Sequence, residues 1–177
     1  MQGTGDQPAD ELVLAFQYLV PNTAREWEFA LAVPFEAPLS VGPGNAGALV
    51  DAGIEIDGHS RGAQRAVRVD PVPAQAAVLA SLSGLGFDVR ATRIEPGWLR
   101  GMQQDLPFHQ VIEFAESARL PALTAVEISF LTGEDGVEVT WQARTDGGKR
   151  SGGFYLDHTE ADEDEVAAVV AAELAAD

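Results

Sequence analysis

Residues 25–40, REWEFALAVPFEAPLS, set the tightest limit on what this chain can become. Trp27, Phe29, Leu31 and Val33 alternate with Glu28, Ala30 and Ala32, and Pro34 and Pro38 close the run. A period of two sends every second side chain to the same face, so the segment reads as a half-buried β-strand. Proline lacks the N–H an interior ladder needs, so the strand ends there and the chain crosses out. The first expectation is therefore architectural: a mainly β protein of the sandwich type.

The rest of the chain supports that class. Leu12, Leu14, Phe16 and Tyr18 alternate over residues 11–20, and Pro21-Asn22-Thr23 makes a turn, so a leading antiparallel hairpin is expected. Short β pieces are expected at residues 52–57 and 66–70, joined by a glycine-containing loop. Residues 73–85 read as the one internal helix. Pro73 suits a first helical position, Val78, Leu82 and Leu85 recur at helical spacing, and Gly84 and Gly86 supply a left-handed stop. Residues 87–94 and 108–114 return to strand character, with Phe108, Gln110, Ile112 and Phe114 on one face. The clearest hairpin sets Val126, Ile128 and Phe130 against Val137, Val139 and Trp141 across a turn at residues 133–136. Asp146-Gly147-Gly148 is expected to break the ladder, with a last short strand at 153–156. A final helix begins beyond Thr159, placed to cap it, and Val166, Val169, Val170 and Leu174 form its apolar stripe.

Charge excludes several functions. The 177 residues carry 28 acids against 11 bases, a formal net charge of -17. Such a chain repels a phosphate backbone and an anionic membrane surface, so neither nucleic acid nor lipid is an expected partner. No run of apolar residues is long enough to span a bilayer. A basic protein surface is the physically sensible partner. The start of the chain lacks the basic and apolar regions of a signal peptide, and cysteine is absent, so the expected location is cytoplasmic.

No chemistry-bearing motif stands out. Gly42, Gly44 and Gly47 spell G-x-G-x-x-G, but Pro43 removes a phosphate-binding N–H and a β segment follows instead of a helix. His59, His109 and His158 lack paired metal-ligand spacing. Glu55 with Asp57, Glu134 with Asp135, and the acids of residues 160–165 sit where outward strand positions, a turn and a helix start place acids anyway. No catalytic residue, metal or cofactor is expected. Two surfaces are candidates for binding a partner. One is the loop carrying Trp98, Leu99, Arg100 and Met102, residue types that dominate interface energetics. The other is the stripe Val166, Val170 and Leu174, placed to dock on the sandwich or on a partner.

In sequence order, FALAVPFEAPLSVG, DAGIEIDG, VRVDPVPAQAAVLASLSGLGF, LPFHQVIEF, VEISFLTGEDGVEVTWQAR and a later GGF resemble the sporulation-control proteins of the stage-zero M type. The resemblance runs over residues 16–154. It implies an arrestin-like fold of two tandem sandwiches and a cytoplasmic regulator working through protein contacts, with no catalytic residues to carry over. The chain departs from the family where HSRGAQRA replaces a string of Asp and where ARTDGGKR follows the hairpin. It also begins near the end of the family's first lobe. The expected organisation is a flexible leader (1–10), remnant strands of an N-terminal lobe (11–41), an arrestin-like C-terminal sandwich (42–156) and an acidic helix (157–177). Two orphan strands leave edges through which a homo-oligomer can form. The alternative function is a small-ligand or carbohydrate-binding sandwich with Trp27, Trp98 or Trp141 as a stacking platform.

Overall fold

The computed structural model describes residues 26, 28, 30, 32–43, 47–56, 58–99, 103–159 and 162–175. The chain divides into two units, residues 1–34 and 35–177, and every element below belongs to the second. The leading strand expected at 11–20 lies outside the described residues, as do Trp27, Phe29 and Leu31. Ala32, Val33 and Pro34 enter no strand.

Among the described residues the order is β1 (Ala48–Ile56), β2 (His59–Val67), α1 (Pro73–Gly84), β3 (Val89–Pro96), β4 (Phe108–Phe114), β5 (Leu123–Thr132), β6 (Gly136–Thr145), β7 (Gly148–Asp157) and α2 (Glu163–Ala175). The fold is mainly β, with seven strands in two antiparallel sheets among the described residues. β3 to β7 form one five-stranded sheet in chain order, and β1 and β2 pair only with each other.

Alternation decides which face of the five-stranded sheet is dry. Ile112 pairs with Ile128, Ile128 with Trp141, and Trp141 with Gly152, so this row points one way across four strands. Val126, Val137 and Val139 join that face, each fully buried. α1 and α2 cover it, contributing Val78 and Leu82, and Val166, Val170 and Leu174, to one continuous core. The next row, Glu113, Glu127 and Gln142, points to the opposite face.

α1 starts where the sequence says. Pro73 needs no N–H partner in a first turn, and Gln75 reaches back so that its Oε1 accepts the Val72 N–H at 3.0 Å. Gly86, at φ 86°, takes the left-handed turn that ends the helix.

Three expectations are corrected. The stretch 58–65 is not a loop: it is most of β2, and Gly62 faces Gly53 in a full-length ladder. Residues 51–55 and 58–66 are exposed, so no apolar alternation marks the ribbon. The chain also turns at Asp146-Gly147 instead of leaving the ladder, and β7 then pairs along all of β6.

The third correction concerns Thr159, which does not cap α2. Asp162 does, its Oδ1 accepting the N–H groups of Asp164 at 3.0 Å and Glu165 at 3.2 Å. Thr159 instead gives both its hydroxyl (2.6 Å) and its N–H (2.7 Å) to Asp157 Oδ1. The hydroxyl bond first, then the backbone bond, hold the Asp157 carboxyl below its ordinary pKa. A depressed carboxylate pKa adds stability above the unfolded value and loses it as pH falls through the folded one. Thr159→Val is therefore expected to raise the Asp157 pKa, read from its carboxyl carbon by NMR titration. An unchanged midpoint would assign the shift elsewhere.

Candidate functional site

The loop between β3 and β4 is built around one buried amide. Gln104 is 7% exposed, and its Oε1 accepts the Leu99 N–H at 3.0 Å. Its Nε2 donates to the carbonyls of Phe108 at 2.8 Å, Gly97 at 3.3 Å and Leu106. Gly97 N–H closes the loop base on Pro107 O at 2.9 Å, and its φ of 119° is one that only glycine adopts readily. From across the chain, the Glu36 carboxylate accepts the N–H groups of Asp105 at 2.7 Å and Leu106 at 2.8 Å. Trp98 stands on this framework with 61% of its surface exposed.

The segment that carries Glu36 is itself fastened. Gln110, on β4, accepts the Leu39 N–H at 2.8 Å and donates to Leu39 O at 2.9 Å, as a neighbouring strand would. Ser40 N–H bonds Val69 O at 2.9 Å while its hydroxyl accepts the Val69 N–H at 3.0 Å.

The outer face of the sheet gathers charge. Arg93 bonds Glu95 at 2.7 Å, Glu127 at 3.2 Å, and Glu113. Partial burial works against the guanidinium charge, but the bonds to Glu95 and Glu127 outweigh it and raise the Arg93 pKa. His109 Nε2 lies 3.8 Å from Glu95. A cavity of about 60 Å³ lies here, between Glu95, His109, Glu127 and Gln142. Ligand pockets generally run to several hundred Å³, so it has no room for a sugar ring. Among the described residues, no group of three potential ligands is placed to hold a metal ion.

The expected site residues separate. Trp98 is exposed and Leu99 half-buried on the loop, while Arg100 and Met102 lie outside the described residues. Val166, Val170 and Leu174 are 1%, 2% and 3% exposed, so the stripe is spent on the chain's own core and is not open to a partner. Trp141 is 5% exposed beneath Arg150, whose guanidinium carbon lies 5.8 Å from the ring centroid, and offers no free face for stacking. Gln104 and Glu36 carry no sequence signal as loop anchors, because their partners are defined only once the chain has folded.

A protein-family model described as SpoOM protein matches residues 10–146, most of the chain. The chain belongs to this family. The Spo0M family match takes in the whole Trp98 loop, both of its fasteners and β3 to β6. A crystal structure of Spo0M, a sporulation control protein from Bacillus subtilis, is similar at 22% identity with a TM-score of 0.68. The match covers 81% of this chain and 64% of that one, so this chain spans under two thirds of that solved Spo0M. The shared fold is arrestin-like. No curated protein matches the chain. Among the described residues, no helix is long and apolar enough to cross a membrane.

Proposed function

We propose that this chain is a non-catalytic, cytoplasmic regulator of the sporulation-control type that binds another protein through its Trp98 loop. The observation that carries the reading is a tryptophan 61% exposed on a loop whose backbone is fastened by Gln104 and Glu36. An exposed indole on a loose loop would lose conformational freedom on binding; one on a fastened loop loses little. Tryptophan is also the residue type most enriched among interface hot spots. With a net charge of -17, the partner surface that fits is basic around an apolar pocket. Domain boundaries follow the same reading: an arrestin-like body and an acidic helix serving that body.

The test uses a partner captured from the native host, identified, and purified. Trp98→Ala is expected to weaken its binding by about 30-fold, the loss of a hot spot worth about 2 kcal/mol, by calorimetry. The melting temperature stays within a degree or so, because the indole is already in water. Equal affinity for variant and parent would remove the loop from the binding surface.

A further inference from the structure

The β1–β2 ribbon is the least explained part of the molecule. It runs nine residues along each strand, and residues 51–55 and 58–66 are exposed. A lone two-stranded ribbon is marginal in water and gains from a third strand. Among the described residues the outer edges of β1 and β2 pair with nothing.

The two edges differ in what they accept. Cross-strand partners share a face, so Val50, Ala52 and Ile54 of β1 lie on the same face as Arg65, Ala63 and Arg61 of β2. Two copies of β2 meeting antiparallel over their full length would set Arg61 opposite Arg65 twice, and like charges so placed repel. Two copies of β1 meet the same difficulty if centred on Asp51, which would then face itself. Centring on Gly53 sets Asp51 against Glu55. Centring on Ala52 avoids both clashes. Asp51 then faces Gly53, Glu55 faces Leu49, Val50 faces Ile54, and all nine residues of the strand pair. Leu49 and Ile54, 60% and 43% exposed in the single chain, each gain a cross-strand neighbour.

We propose that β1 pairs antiparallel with β1 of a second copy of this chain, about a two-fold axis through Ala52, making a four-stranded sheet β2–β1–β1–β2. The interface is isologous and closes at two copies. Arg61 and Arg65 guard the outer edges against further growth, the role charges play on natural edge strands.

Directly opposed Cα atoms across an antiparallel pair lie about 4.5–5.5 Å apart, within disulfide reach. The chain has no cysteine, so Ala52→Cys introduces the only thiol. The full chain carrying Ala52→Cys is expected to form a covalent dimer with copper phenanthroline on a non-reducing gel. Ala63→Cys, directly across the same ribbon, is expected to stay monomeric there. By sedimentation equilibrium, the parent is a concentration-dependent dimer. Ala52→Lys weakens dimerisation at least tenfold, and Ala63→Lys leaves it unchanged. A parent chain monomeric at every concentration, stronger cross-linking at position 63, or an open-ended polymer would each overturn the proposal. The cross-link stands as a separate readout should Ala52→Lys disturb the ribbon itself.

Discussion

Trp141→Ala is expected to lower stability by about 3–5 kcal/mol, the usual cost of deleting a buried aromatic, and the melting temperature by roughly 10 °C. The indole sits in the row between Ile128 and Gly152, 5% exposed, and its Nε1–H donates to Glu173 Oε2 at 3.1 Å. It therefore ties β6 to α2 as well as filling the core. Gly152 is its complement: a Cβ there would fall 2.7 Å from the ring, far inside van der Waals contact. Gly152→Ala alone is expected to cost about 1–3 kcal/mol through overpacking. In the double variant the methyl meets no ring, so the two losses add to less than their sum. Guanidinium chloride titration of all three proteins measures this coupling, and strict additivity would mean the ring does not rest on position 152.

Gln110→Leu is the second large expectation, for a different reason. Its volume change is small, yet it strands the Leu39 N–H and C=O, which the glutamine side chain now satisfies at 2.8 Å and 2.9 Å. Leu39 is 3% exposed, so water cannot readily replace either bond. Each buried orphan costs about 1–3 kcal/mol, for a total of about 2–6 kcal/mol. Urea unfolding of the variant is the measurement, and a loss under about 1 kcal/mol would show that the segment relaxes and finds other partners. The apolar core is untouched, so the fluorescence of folded Trp141 should match the parent.

Most of the body was legible because its strands bury one face. β4 spans Phe108–Phe114, and the β5–β6 hairpin places Val126, Ile128, Val137, Val139 and Trp141 on the core side, as alternation alone indicates. α1 ends one residue short of its reading, at Gly84. Where solvent lies on both sides, the signal vanishes. HSRGAQRAV has no apolar period, so from sequence it reads as a glycine-containing loop rather than a strand. β7 was shortened for the opposite reason: Gly152 sits at a core position because the Trp141 ring needs the space. The apolar stripe of α2 showed that Val166, Val170 and Leu174 are buried, but periodicity does not say against what. The candidate site divides likewise. Trp98 was visible as a loop aromatic, whereas Gln104 and Glu36 matter only through contacts the fold creates.

One consequence concerns how the chain finds this fold. The large sheet is a meander in which every strand pairs with its immediate successor, so closing it requires only short loops and little chain entropy. The fasteners of the 36–40 segment are the opposite: Leu39 reaches Gln110 across 71 residues, and Glu36 reaches Asp105 across 69. They have nothing to grip until β4 is in place. Gln104 can hold the Trp98 loop through partners two to seven residues away, whereas the Glu36 fastening must close a far longer stretch of chain onto a loop already in place.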